Sequence, residues 1–309
     1  MKKQFRTAML STACMLIVAV MSLTGVTYAW FTTSSQAEVT GMHLGVQAAN
    51  GGIEVAQRNN STWGTLLDLA AIDGSGAIMS GIYPVSTADA EYFVRLDQYN
   101  PQNSEEIRFV EDSANYMVQE LSLRNTGTQP ITINFANTYI MDTEANKAIG
   151  KAGRIAIFLE KEGDDGLYYD LVGIMAPYYN ATAETGYYSV DTAATYGVNS
   201  SAIVKTEGET TDNTSNNPYV TFNNKTSSNT YLTTYSLTDP SAIQITLPAM
   251  IDNEHVVVNI KVVVWVEGQD SECTVQNAAG QFDVHLMLNK NGEQLTPQEQ
   301  FGKQQPNAQ

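Results

Sequence analysis

Strict alternation of apolar and polar residues recurs along this chain and constrains its fold more than any other feature. Val256, Val258, Ile260, Val262, Val264 and Val266 share one parity, with Asn259, Lys261 and Glu267 on the other. Phe282, Val284, Leu286 and Leu288 likewise stand opposite Asp283 and His285, and Ile243, Ile245 and Leu247 opposite Gln244 and Thr246. Side chains of an extended strand point to opposite faces in turn, so this period of two predicts strands with one buried face. Leu121 and Leu123 are expected to pair with Ile131, Ile133 and Phe135 across the Gly-containing turn Asn125-Thr126-Gly127-Thr128. A second hairpin is expected where Ile53 to Ala56 and Trp63 to Leu67 flank Asn59-Asn60. Beyond residue 30 no apolar run has helical spacing; short helices are expected only near Ser104 to Asp112 and Asp270 to Ala279. The pattern predicts an all-β, antiparallel sandwich with short helices, long loop insertions and one polar face per sheet.

The N-terminus reads differently. Lys2, Lys3 and Arg6 precede an apolar stretch from about Ala8 to Val26, and Thr27-Tyr28-Ala29 forms a small-x-small cleavage pattern. This is the layout of a secretory signal peptide over residues 1–29, cut between Ala29 and Trp30 by a signal peptidase, with a retained anchor as the alternative. Without that leader and its three basic residues, the 309-residue chain of formal charge −17 becomes 280 residues of charge −20. Such an acidic chain, lacking any basic block, repels phosphate backbones, so a nucleic-acid partner is not expected. Export would leave Cys273 as the one cysteine of the mature chain, unable to form an internal disulfide and expected as an inert thiol.

The remaining organisation is one domain over residues 30–289 with an insertion over about 160–230, then a polar, disordered tail over 290–309. Residues 199–230 are rich in Ser, Thr, Asn and Gly, the composition of a surface loop. Before them, Tyr168, Tyr169, Tyr178, Tyr179, Tyr187, Tyr188 and Tyr196 are seven of the chain's 16 tyrosines. Because a tyrosine ring packs while its hydroxyl stays wet, they are a candidate contact surface, although exposed strands carry tyrosine equally well.

Catalytic signals are weak. The three histidines, His43, His255 and His285, form no His-Glu-x-x-His pair, and His255 and His285 are expected as solvated strand residues. No Gly-x-Ser-x-Gly elbow and no Gly-rich phosphate loop occurs. The carboxylates of Glu160-Lys161-Glu162-Gly163-Asp164-Asp165-Gly166 crowd a turn that departs from the EF-hand pattern, so a solvated turn is expected over a calcium loop. Neither a cofactor nor a metal is expected, and the chain reads as a non-enzyme.

Thr27-Tyr28-Ala29-Trp30-Phe31-Thr32, leading toward a strand around Met42 to Gln47, resembles the TasA/camelysin family of exported surface and biofilm-matrix proteins of Gram-positive bacteria. Glu120-Leu121-Ser122-Leu123-Arg124-Asn125-Thr126-Gly127 is similar to a strand and turn of that family, and Tyr83-Pro84-Val85-Ser86-Thr87 and Val264 to Cys273 are similar to segments of its clostridial relatives. The resemblance does not extend to residues 160–230. It implies a jelly-roll-like sandwich, processing by a dedicated signal peptidase, and self-association into fibres or with related matrix proteins by donor-strand exchange. The donor would be the Pro-free segment from Trp30 and Phe31 to Val39. An open sheet edge offers unpaired N–H and C=O groups that such a peptide can satisfy. The same segment could equally fold back as the first strand of its own domain. A monomeric module that binds a glycan or protein is the competing functional class, and a secreted peptidase the third.

Overall fold

The computed structural model describes residues 43–48, 52–70, 72–76, 83–87, 89–99, 107–143, 148–180, 187–190, 195–196, 203–205, 219–222, 235–268, 270 and 280–291. The leader, the segment Trp30 to Val39, Cys273 and most of 181–234 and of the tail lie outside them. Among the described residues the chain is all-β, and two sheets face each other across one large core.

The first sheet has the order β13 (Tyr187–Val190), β12 (Pro177–Asn180), β9 (Tyr139–Asp142), β20 (Phe282–Lys290), β1 (His43–Ala48) and β3 (Leu66–Ala70). β8 (Ile131–Asn134) pairs with the end of β20 and with β18 (Gln244–Leu247). The second sheet runs β11 (Gly166–Met175), β10 (Gly153–Gly163), β19 (Val257–Val266), β7 (Met117–Asn125) and β2 (Ile53–Gln57). A third sheet is β15 (Ile203–Lys205), β16 (Tyr219–Phe222), β6 (Ile107–Glu111), β5 (Phe93–Tyr99) and β4 (Ser86–Thr87), and β14 (Thr195–Tyr196) pairs with β17 (Tyr235–Ser236). Most ladders are antiparallel; β1 with β20, and β12 with β9, are parallel.

The alternating runs form the core as their periodicity requires. Phe282, Val284, Leu286 and Leu288 of β20 and Ile260, Val262 and Val264 of β19 are wholly buried, with Val266 beside them. Ile243, Ile245 and Leu247 join them, while Gln244 and Thr246 are exposed.

Three expectations are corrected. Leu121 and Leu123 do not pair with Ile131 and Ile133: β7 belongs to the second sheet and β8 to the first, so the chain at Asn125–Thr128 arches from sheet to sheet. The turn itself is present, with the Gly127 N–H donating to Asn125 Oδ1 (2.8 Å) and Asn125 Nδ2 to the Gln129 carbonyl (2.7 Å). Both apolar rows are buried because they meet across the core rather than side by side. The turn near Asn59, which has φ +64°, closes only a single bridge, Val55 to Gly64, before the chain leaves for β3 in the other sheet. Residues 107–111, expected as helix, form β6 between β5 and β16, where ladder hydrogen bonds outweigh local helical preference. The only helical element among the described residues is the 3₁₀ turn Ile149–Ala152; of Asp270 to Ala279, only Asp270 is described.

Two boundaries also move. Residues 160–180 are not an insertion but strands of both sheets. Asn289 is fully buried, donating to the Ala136 carbonyl, and Lys290 still pairs with Ile133.

The outer face of the second sheet is not uniformly polar. Val263 and Trp265, on the parity opposite Val262 and Val264, pack with Phe93, Phe158, Ile174 and Val85 in a second core. Phe93 stacks on Tyr116 at 4.0 Å and meets Trp265 edge-on at 5.4 Å. Thus β19 is buried on both faces near its C-terminal end.

Candidate functional site at the β11 edge

β10 and β11 form a long hairpin about the turn Asp164–Asp165, with Gly163 opposite Gly166. Gly166 has φ +116°, a conformation that disfavours any residue with a Cβ. β11 has one strand partner among the described residues and ends its sheet. Its first six residues are exposed except for Tyr169, which is half-buried, and Leu167, Tyr168 and Leu171 are 66%, 49% and 39% exposed. Beyond Leu171 the edge is closed, because Thr238 N–H donates to the Ile174 carbonyl (2.7 Å) and Leu237 packs in the second core.

A polar network holds this edge from its outer face. Arg58 follows β2 and binds the Glu120 carbonyl through its own N–H (2.9 Å). Its guanidinium meets Glu120 at 3.3 Å, pairs closely with Glu160, and donates to the Tyr169 hydroxyl. Asn259 Nδ2 donates to the other oxygen of Glu160 (2.7 Å), and Ser122 Oγ to Asn259 Oδ1 (2.7 Å). Lys261 lies 4.3 Å from the Phe158 ring centre and 4.8 Å from that of Tyr169, and donates to Glu91 (3.1 Å). The Tyr169 phenol is pushed up to about 12, by burial first and then by the charge of Glu120 and a hydrogen bond to it. Strand register explains the assembly: Glu160 stands opposite Tyr169, Glu120 opposite Lys261, and Lys261 opposite Phe158. These groups satisfy one another, so the network fixes β11 against three strands and presents no free nucleophile.

Buried charges elsewhere serve the frame. Arg154, 1% exposed, donates to the carbonyls of Lys151 and Gly153 and pairs with Asp270. Glu267, wholly buried, accepts from Ser86 Oγ and Trp265 Nε1. Among the described residues no group of three or more His, Cys, Asp or Glu could hold a metal ion. The turn residues Glu162, Asp164 and Asp165 are exposed.

The candidate tyrosines divide between two sheets, four of them on the paired strands β12 and β13. Tyr168 and Tyr169 lie on β11 of the second sheet and face opposite ways, as neighbours in a strand must. Tyr178 and Tyr179 lie on β12 of the first sheet, Tyr178 near Lys151 (6.0 Å) and Tyr179 edge-on to Tyr139 (5.9 Å). Tyr187 and Tyr188 are in β13, beside β12; their side chains, like that of His43, are outside the description. His285 stacks on Tyr139 (4.3 Å), and His255 Nδ1–H donates to the Asn125 carbonyl (3.1 Å), so both are half-buried packing groups rather than solvated ones. Arg58 and Glu120 had no sequence signal of their own; only opposite charges at outward strand positions hinted at them, and their pairing needs the register. Comparison with known families, curated proteins and solved structures finds no matching family model, protein or structure.

Proposed function

We propose that this chain is an exported structural protein that forms or decorates an extracellular fibre or surface layer, recruiting further copies of itself or related matrix proteins at open sheet edges. The observation that carries this reading is a sheet edge with no further partner strand among the described residues. β11 and β3 each end a sheet with one strand partner among the described residues, and Leu167 and Leu66 on them are 66% and 67% exposed. Edges of this kind template strand addition, in which main-chain bonds give affinity and alternate side chains give specificity. The leader-like residues 1–29 and the resemblance to the TasA/camelysin family support export, with a signal peptidase cutting between Ala29 and Trp30. Under this reading the segment Trp30 to Val39 is the donor that completes a neighbouring subunit.

Negative-stain microscopy of the exported protein tests the reading, with N-terminal sequencing of the same material. Filaments from a chain beginning at Trp30 are expected. Deleting residues 30–39 should abolish filaments while the domain still melts cooperatively, and the free peptide should restore its lost stability. Dispersed monomers at every concentration would overturn the proposal, and undiminished filaments from the deleted chain would exclude this segment as donor.

A further inference from the structure

The edge of β11 that has no partner strand among the described residues is complementary to itself. The two-residue turn makes Gly163 and Gly166 the hydrogen-bonded pair that closes the hairpin. Backbone groups of Tyr168 and Asp170 therefore point at β10, and those of Leu167, Tyr169 and Leu171 point away from it. These three are the groups that an added strand meets. The turn bounds the free stretch at one end and Thr238 at the other, and Tyr169 lies at its middle.

Residues 167–171 read Leu-Tyr-Tyr-Asp-Leu. When two copies approach antiparallel with Tyr169 opposite Tyr169, each Leu167 falls opposite a Leu171 of the other copy, and each Tyr168 opposite an Asp170. The rows Leu167, Tyr169 and Leu171 share a face, so two exposed leucines per copy gain cover beside a tyrosine already fixed by Arg58. Asp170 is the one charge in the five residues and is already paired with Lys161, so the ladder brings no uncompensated charge into contact.

We propose that β11 pairs with β11 of a second copy of this chain in an antiparallel, two-fold register centred on Tyr169, joining two five-stranded sheets into one of ten. A two-fold contact uses the same patch on both copies and closes on itself, so it cannot extend a filament. In a fibre it ties subunits side by side; that role rests on the assembly reading, whereas the pairing rests on the edge alone. Five residues per copy bury less than the roughly 1,200 Å² of a stable interface. The contact is therefore weak in dilute solution and effective where subunits are already concentrated. With a formal charge of −17 per copy, added salt screens the repulsion between chains and strengthens it.

Register-specific disulfide trapping tests this in the full chain carrying Cys14→Ser and Cys273→Ser. Leu167→Cys and Leu171→Cys are made separately, both at exposed positions where the fold is not at stake. In the proposed register Cys at 167 of one copy faces Cys at 171 of the other, whereas like positions lie about 14 Å apart, beyond disulfide reach. Mild oxidation of the mixture should give a mixed dimer at least tenfold in excess of either variant alone, rising with salt. Equal cross-linking in all three samples, or none in the mixture, would overturn the pairing, even if microscopy of those samples shows filaments. Cross-linked dimers without filaments would uphold the pairing and remove its role in a fibre.

Discussion

Replacing Arg58 by Met keeps the length of the side chain and removes the charge that Glu160, Glu120 and Tyr169 share. The Glu160 side chain is only 10% exposed, so the lost charged hydrogen bond costs about 1.5–3 kcal/mol. Glu120 is 41% exposed, and solvent screening reduces its share to about 0.5 kcal/mol or less. Arg58 sits 5.8 Å from the Tyr169 ring centre, near the outer limit of a cation–π contact, and nothing further is counted for it. The expected loss is therefore about 2–3 kcal/mol, a drop in Tm of roughly 4–10 °C for a domain of this size. Much of that loss is the penalty of leaving Glu160 without its cation. Adding Glu160→Gln to Arg58→Met should recover about 1 kcal/mol or more, and the double-mutant cycle reads the coupling directly. Denaturant melts of the four proteins decide the matter. A single-variant loss under about 0.5 kcal/mol, or a coupling of zero, would refute the claim that this network fixes β11.

Trp265→Ala should cost about 3–5 kcal/mol in the same melts, comparable to Phe282→Ala in the main core, because Trp265 is fully buried against Phe93; a loss under about 1 kcal/mol would refute the second core. Burial holds the Asp142 carboxyl above its ordinary value, against opposing hydrogen bonds from Gly150 N–H and Tyr178 and the charge of Lys151. The folded state then keeps a proton that the unfolded chain releases, so stability falls as pH rises from about 4 through the folded value. Asp142→Asn should remove that slope from Tm measured against pH, and an unchanged slope would count against it. Tyr169 titrates near 12 in the fold, so its contribution declines as pH rises from about 10 through that value. Tyr169→Phe should delete one late phenol from an ultraviolet titration, and a variant with the same late-titrating count would place the raised group elsewhere.

The sequence by itself determined which residues of a strand share a face. The rows Val262-Val264-Val266, Phe282-Val284-Leu286-Leu288 and Ile243-Ile245-Leu247 were readable because alternation is a property of the extended backbone and needs no knowledge of neighbours. The turn at Asn125–Gly127 was readable for the same reason, since Asn125 bonds locally within four residues. Tertiary structure alone decided which strands meet. Local chemistry at Asn125–Thr128 fits a hairpin and an arch equally well. The arch wins because Leu121 and Ile133 are each bordered by other strands, β19 and β2 for the first, β18 and β20 for the second. Neither the parallel pairing of β1 with β20, from opposite ends of the chain, nor the burial of Trp265 on the parity assigned to solvent is encoded locally. The Arg58 network is non-local for the same reason: it joins β7, β10, β11 and β19, and opposite charges on separate strands become partners only once the ladders set their register. Side-chain parity follows from the bonds within one strand, whereas partner choice follows from the free energy of closing the whole core, to which every strand contributes at once.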